Sequence, residues 1–491
     1  MLSLAYILIT NNSYDKDFIN KYTVGFDSFA SYVLGKKNNA PCTPEWASNI
    51  TKVPIKKITN LAEKLITKKT MISMSWSLQR ASRGEQPLWM GITLACMIGQ
   101  IGTAGGGFGF GYSAVNSTGD SFTKIPWKSL PQGKNNIKDF IPVARITDML
   151  EKPGETFDYD GQKLKYPDIK LVYWAGGNPF HHHQDLNRLV KAWQHPNTII
   201  VNEIWWNAQA RHADIIFPAN TALERNDLML QSRVPYLQVL NEAVPPLGEA
   251  VDDWEANRRL AEAISRRAKE RNIKPIQDAV DGRTVRRDYT KTLELYTMGG
   301  RVNNSKDVAQ FIINASHGIP KISFEELSQK GIVKVEGVEN TMWEKDESPY
   351  HNEIVKSVRK KLPYETFTGR QQFYIDHEWF IEFGETLPTF KEPLKIDEFP
   401  LRMMMGHARH GIHSTWRDDS FLLSLQRGEP DIYVNPDDAI NRGVEDGDMI
   451  RIYNTAGEFF AMAHVSSGIQ PGMLFMYHGW DPKLSLIHIS E

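Results

Sequence analysis

Three apolar runs in this chain each break into polar residues and then into a helical pattern, and few folds accept that recurrence. The first, Met71-Ile72-Ser73-Met74-Ser75-Trp76, releases Gln79, Arg80, Arg83, Glu85 and Gln86 before Pro87 opens an apolar helix. The second, residues 170–175 (KLVYWA), breaks at Gly176-Gly177-Asn178-Pro179, and the third, residues 198–202 (TIIVN), breaks before Asn207. Short apolar runs alternating with helices predict buried parallel strands joined by crossover helices. Open sheets of that kind take ligands at the carboxyl ends of their strands, where these polar clusters fall. Helices near 184–194 and 205–210 and a short strand at 213–217 continue the alternation.

With 491 residues the chain has enough sequence for two or three domains. A formal net charge of −2 argues against bulk nucleic-acid binding and against a basic membrane-binding face. Cys42 and Cys96 are the two cysteines, too few for a disulfide scaffold, a four-cysteine zinc site or a cysteine-ligated iron–sulfur cluster within this chain. No segment reaches the roughly 18 apolar residues of a membrane span. Residues 1–10 (MLSLAYILIT) lack the basic start and cleavage site of a signal peptide and read as a buried helix.

Residues 22–35 and 55–66 carry apolar residues at helical spacing, and Gly35 is a C-terminal stop for the first. A basic helix is expected over 252–271 with its Arg/Lys face solvated, and 280–395 carries no strong motif. From Pro400 the pattern changes to short strands at 401–405, 431–434, 449–453, 458–465 and 473–477, with Asn454-Thr455-Ala456-Gly457 as a hairpin turn. The predicted fold is α/β: a doubly wound, mostly parallel sheet region over 1–230, a connecting mixed region over 231–397, and a small, incomplete β-barrel domain over 398–483. The last residues, 484–491, break the pattern and resemble translated adapter sequence.

Four motifs bear on chemistry. Gly176-Gly177-Asn178-Pro179-Phe180-His181-His182-His183 lies at a strand end, where paired glycines admit a ligand to the backbone and Asn can read a heterocycle edge. A plain turn explains the Gly and Pro but not Asn with three histidines; consecutive histidines cannot all face one metal, so a zinc site is disfavoured. Gly105–Gly111 follows a helix and matches neither phosphate-loop pattern, so it reads as a flexible loop. His407, His410 and His413, interleaved with Arg402, Arg409 and Arg417, suit a phosphate or equally a polar interdomain seam. Asp214, ahead of an apolar run, is a candidate acceptor for a purine or pterin NH pair, a strand cap, or a partner of Arg211. No catalytic Ser/His/Asp or Cys/His pairing stands out.

Taken together, WSLQR…GEQ, GQIGTAGGGFGFGY, YWAGGNPFHHHQDLNRLVKAW and ARHADIIFPANTALERND resemble the molybdopterin oxidoreductases, in particular the dimethyl sulfoxide, trimethylamine N-oxide and biotin sulfoxide reductase branch. NPDDAINRGVEDGDMIRIYN resembles the dinucleotide-binding barrel of the same superfamily. From about 235 onward, stretches such as HARHGIHSTWRDD and YHGWDP look closer to nitrate reductase-like and dimethyl sulfide dehydrogenase subunits. Positions 1–200 hold 19 Lys and 4 Arg, whereas 201–300 hold 3 Lys and 11 Arg. These two changes together suggest a chimera joined near ARHADIIFPANTALERND.

The resemblance implies a molybdenum bis(molybdopterin guanine dinucleotide) cofactor and reduction of S- or N-oxides, X=O + 2e⁻ + 2H⁺ → X + H₂O. A nitrate reductase-like or dehydrogenase subunit and a catalytically silent cofactor-binding fragment are the alternatives. The implied cofactor-binding residues are Trp76, Ser77, Gln79 and Arg80; Gly177, Asn178 and His181; Asn202 and Glu203; Asp214; and His407, Arg409, His413 and Ser414. The family's metal ligand lies upstream of everything matched here, so the chain reads as a fragment that is inactive alone, with no catalytic or metal residue assigned. Partners implied are a small-molecule oxide and an electron donor such as a cytochrome. The compartment is unknown, periplasmic by family resemblance with the cytoplasm as the alternative.

Overall fold

The computed structural model describes residues 1–37, 39–110, 123–132, 135, 137, 139–159, 161–280, 283–338, 353–392, 398–409, 411, 415, 419–425, 430–455 and 457–480. The tail at 484–491 and His410, His413, Ser414 and Arg417 lie outside them. The chain packs as two compact units. One comprises Met1–Pro126, Leu230–Tyr236 and Lys334–Lys395; the other comprises Trp127–Met229, Leu237–Val333 and Ile396–Glu491.

In the first unit, the apolar start folds as the buried helix its sequence predicts: Leu2–Thr10 places Leu2, Leu4, Ala5 and Leu8 in the core. Helix Ile55–Thr67 adds Ile58, Ala62 and Leu65 to the same core. Strand Met71–Met74 then pairs in parallel with Gly107–Phe110, Met71 opposite Gly107 and Met74 opposite Phe110. The loop expected at Gly105–Gly111 is therefore corrected over 107–110, which form a strand. The reason is hydrogen-bond accounting: the first strand's backbone needs a partner, and the crossover helix Glu85–Met97 returns the chain beside it. Two further expectations shift. The helix read over 22–35 begins at Phe26, because Thr23–Val24 pairs in parallel with Gln371–Gln372 from the stretch that showed no motif. Strand Met71–Met74 is buried only at its end, with Met71 exposed.

Helix Glu85–Met97 lies close on that strand because of Gly91. A Cβ at Gly91 would stand 2.0 Å from the sulfur of buried Met74.

In the second unit, Leu171–Ala175, Thr198–Glu203 and Ile215–Pro218 form a three-stranded sheet in that order, all parallel. Phe180, Leu189, Trp193, Ile199 and Val201 make its core. The same unit holds the five strands expected near the C-terminus, in the order Arg402–Gly406, Met473–Tyr477, Asp431–Val434, Glu458–Val465 and Met449–Tyr453. Parallel and antiparallel pairs mix in this sheet, and among the described residues it does not close into a barrel. The hairpin turn is present, with Asn454 N–H donating to the Gly457 carbonyl at 2.9 Å. The basic helix forms over Asp253–Glu270. Among the described residues no helix is long and apolar enough to cross a membrane.

A helix-interior glycine ordinarily gains about 1 kcal/mol of stability on replacement by alanine. Here Gly91→Ala is expected to destabilise by about 1–3 kcal/mol instead, because the new methyl overpacks against Met74. Urea unfolding measures it, and adding Met74→Ala should remove most of the Gly91→Ala penalty.

Candidate functional site

The polar loop that follows Met71–Met74 divides into a supporting half and a presenting half. Gln86 is buried; its Nε2 donates to Glu385 Oε2 at 2.6 Å and its Oε1 accepts from the Thr389 N–H at 2.8 Å. Arg83 sits at φ 58° and its guanidinium lies 3.4 Å from Glu385 Oε1. Those two residues hold the loop. Ahead of them, Trp76–Arg80 forms one turn of 3₁₀-helix, capped by Ser75, whose Oγ accepts from the Ser77 N–H and lies 2.9 Å from Ser77 Oγ. Gly84 makes this turn possible, since a Cβ there would meet the Leu78 carbonyl oxygen at 2.4 Å. Trp76, Ser77, Gln79 and Arg80 are all exposed on that turn, the indole tilted against Phe110 at 6.4 Å between ring centroids.

At the end of Leu171–Ala175, Gly176 and Gly177 both take left-handed φ angles near 80°, a conformation that costs glycine little and other residues much. Asn178 follows as a helix N-cap, buried, its Oδ1 accepting from the Phe180 N–H at 3.1 Å. The carbonyl oxygen is thereby used, so what Asn178 offers a ligand is its amide NH₂. Trp174 Nε1 donates to the Gly176 carbonyl at 2.7 Å, and the Asn178 N–H donates to His182 Nε2 at 3.3 Å. Phe180 stacks on His212 at 4.1 Å. Burial lowers the His183 pKa from its ordinary value, and the charge of neighbouring His182 adds to the shift. His181 is half-buried on the same short helix.

Strand register sets Ala175 opposite Asn202 and Glu203 opposite Pro218. Gly177, Asn178, His181, Asn202 and Glu203 thus belong to one end of the sheet. Asn202 is buried, and its Oδ1 has no hydrogen-bond partner among the described residues. Glu203 is engaged in shaping the next loop: its carboxylate accepts from the Ile204 N–H at 2.8 Å and from Asn207 Nδ2 at 2.8 Å. That bracing leaves Trp205 and Trp206 exposed.

Asp214 is at the other end of the sheet. It precedes Ile215–Pro218, and its carboxylate accepts from the Ile199 N–H at 2.8 Å, at the start of the central strand. Of the three readings open for it, strand capping is the contact observed. His407 follows Arg402–Gly406 and meets His478 edge to face at 4.3 Å, where the His478 N–H donates to the Gly406 carbonyl. Arg409 is exposed just beyond, and His413 and Ser414 fall outside the described residues. Gly457, in the hairpin of the same sheet, approaches the amide of Asn187 on the helix that follows the Asn178 turn.

Two residues escape the sequence reading. Asn220 lies two residues past Ile215–Pro218, is buried, and has an Oδ1 without a partner among the described residues, while its Nδ2 donates to the Glu224 carbonyl. Gln209 is fully buried with both amide atoms unpartnered among the described residues. The signal for Asn220 was available, a polar residue at the close of an apolar strand, as at Asn178 and Asn202. Asn220 lines a cavity of about 330 Å³ together with Arg225, Glu242, Asp252, Trp254 and Lys306. Nearby, hydrogen bonds from the Thr221 backbone and hydroxyl and from the Leu247 N–H hold the Glu224 carboxyl below the usual carboxylate range. Among the described residues no group of three or more His, Cys, Asp or Glu is placed to hold a metal ion.

Comparison with known proteins bears on these strand ends. Residues 1–263 match the family model described as molybdopterin oxidoreductase, and 401–486 match the molybdopterin dinucleotide binding domain. The dimethyl sulfoxide/trimethylamine N-oxide reductase of Rhodobacter capsulatus is 34% identical over 98% of this chain and 58% of its own length. The trimethylamine-N-oxide reductase of Haemophilus influenzae is 34% identical with the same coverage, and the biotin sulfoxide reductase of Cereibacter sphaeroides is 33% identical over 98% of this chain and 61% of its own. A single relative therefore accounts for both sides of the expected join, and the chain spans about three-fifths of the curated relatives it matches. Acetylene hydratase from Pelobacter acetylenicus shares the fold, with a TM-score of 0.58 and 16% identity over 98% of this chain and 63% of that one.

An unpaired buried polar atom costs about 1–3 kcal/mol, whereas an apolar group of like shape does not. Asn202→Leu is accordingly expected to be neutral or stabilising in the cofactor-free chain. Asp214→Ala, which strands the Ile199 N–H, should lose about 1–3 kcal/mol. Urea unfolding of both variants measures the contrast.

Proposed function

Because the chain belongs to the molybdopterin oxidoreductase family, we propose that its strand ends bind molybdenum bis(molybdopterin guanine dinucleotide) and that the parent enzyme reduces S- or N-oxides. The observation that carries the cofactor reading is the set of buried amides at one end of the three-stranded sheet. Among the described residues Asn202 Oδ1 and Asn220 Oδ1 lack donors, and Asn178 at the same end uses its Oδ1 on the Phe180 N–H and keeps its NH₂. Guanine and pterin edges present adjacent N–H donors and a carbonyl acceptor, which such amides complement. The cavity at Asn220 suits the guanine end: acceptors at Asn220, Glu242 and Asp252, cations at Arg225 and Lys306, and the indole of Trp254.

Candidate contacts lie in both units. Trp76, Ser77, Gln79 and Arg80 present an aromatic face, hydrogen-bonding groups and a guanidinium suited to pyrophosphate. Gly177 lets the backbone approach the ligand, and His181, Asn202 and Glu203 lie with Asn178 at the sheet end. His407 and Arg409, with His413 and Ser414 after them, are assigned to the second dinucleotide-binding segment. When bound, the cofactor supplies the two-electron and oxygen-atom chemistry, while these residues bind and orient it. Similarity to reductases of dimethyl sulfoxide, trimethylamine N-oxide and biotin sulfoxide supports an oxide substrate. An electron-donor protein such as a cytochrome is the partner that reaction requires.

Purified from cells that make the cofactor, the protein should carry molybdenum and release guanine nucleotide on acid treatment. Arg80→Ala and Asn178→Asp should each lower the molybdenum and nucleotide content at least severalfold, since Asn178→Asp keeps the helix cap but replaces the NH₂ donor with charge. Metal analysis and nucleotide chromatography read the result. Wild-type content in both variants would remove these residues from the site.

A further inference from the structure

Of the hydrogen bonds that close the Asn178 turn, one depends on the charge of an imidazole. His182 Nε2 accepts the Asn178 N–H at 3.3 Å, reaching back from the last turn of Pro179–His182 to its N-cap. An imidazole accepts only when that nitrogen is bare; the protonated ring carries N–H groups at both positions and would set one against the Asn178 N–H. The same ring lies 3.7 Å from where a Gly177 Cβ would stand, so it backs both residues that face the ligand.

From this geometry we infer that His182 is a proton-sensitive latch on the Gly176-Gly177-Asn178 turn. While the ring is neutral the bare Nε2 holds the turn closed; when the ring takes up a proton the acceptor is lost and the turn opens. The sign follows from the bond: the neutral form is the one stabilised, so the closing contribution is present above the imidazole pKa and disappears below it. The titratable and charged groups around it are His181, half-buried on the same short helix, and the following. His183, its ring 5.2 Å away, is lowered in pKa by burial. On the packed helix Ala208–Arg211, the Arg211 guanidinium donates to the Trp206 carbonyl, and His212 beside it places Nδ1 2.7 Å from the Ala208 carbonyl. Asp185 beyond the histidines caps the next helix by accepting from the Arg188 N–H. That the open turn would loosen the cofactor rests on the function proposed above; the latch itself does not.

Hydrogen–deuterium exchange of the segment 174–184 in the full cofactor-free chain, corrected for intrinsic exchange, separates the two. Lowering pH from 7.5 to 5.5 should raise opening about three- to tenfold, the range a single hydrogen bond supports. His182→Gln, whose amide oxygen remains an acceptor at every pH, should flatten the response, and His183→Gln should leave it intact. No pH response in the wild type, or a response abolished by His183→Gln and retained in His182→Gln, overturns the latch. A latch that responds as expected in a protein that carries no guanine nucleotide would leave the pH switch standing and remove only its cofactor role.

Discussion

Parallel pairing of Leu171–Ala175, Thr198–Glu203 and Ile215–Pro218 governs what the second unit can do. Parallel strands require crossovers, and each crossover must leave from the same end of the sheet, where the carboxyl ends of the strands lie. Whatever residues close the three strands are therefore gathered whether or not they touch one another. Here those residues are Asn178, Asn202, Glu203 and Asn220. The first unit repeats the device on a smaller scale, with Met71–Met74 and Gly107–Phe110 joined through Glu85–Met97 and the Trp76–Arg80 turn at the departing end.

Side chains at these ends divide between holding a loop and facing outward. Gln86 and Glu203 have close hydrogen-bond partners and, with the Arg83–Glu385 pair, define loop shape. Asn178 does both, spending its oxygen on the Phe180 N–H and keeping its NH₂. The division is what makes the presented groups rigid, since a ligand contact held by a braced loop loses less freedom on binding.

Much of this was legible in the residues. Apolar runs bounded by Gly, Pro and Asn located the parallel strands and all five strands of the C-terminal sheet, because period and punctuation are local properties. The strand at Gly107–Phe110 was not legible: three of its neighbours are glycine, and its existence is dictated by the unpaired edge of Met71–Met74, a tertiary demand. Pairing of Thr23–Val24 with Gln371–Gln372 was hidden for the same reason. Asp214 shows the limit for side chains. Its position before an apolar run was plain, but only strand register reveals that it faces the Ile199 N–H at the end of the sheet away from Asn178.

The energetics of the buried amides point the same way as their position. A buried amide oxygen without a donor costs about 1–3 kcal/mol, and among the described residues Asn202 and Asn220 each carry one. A ligand present at a hundredfold excess over its Kd returns about 2.7 kcal/mol to the folded state. The two magnitudes are comparable, so a ligand that gave these oxygens donors would offset that cost. A purely structural role for Asn202 predicts the opposite arrangement, with its oxygen paired to a backbone N–H as Asp214 is to Ile199. The contrast between Asn202, at the close of the central strand, and Asp214, which caps the start of that strand from the residue ahead of Ile215–Pro218, is the physical reason to propose the first as a ligand contact and to read the second as scaffold.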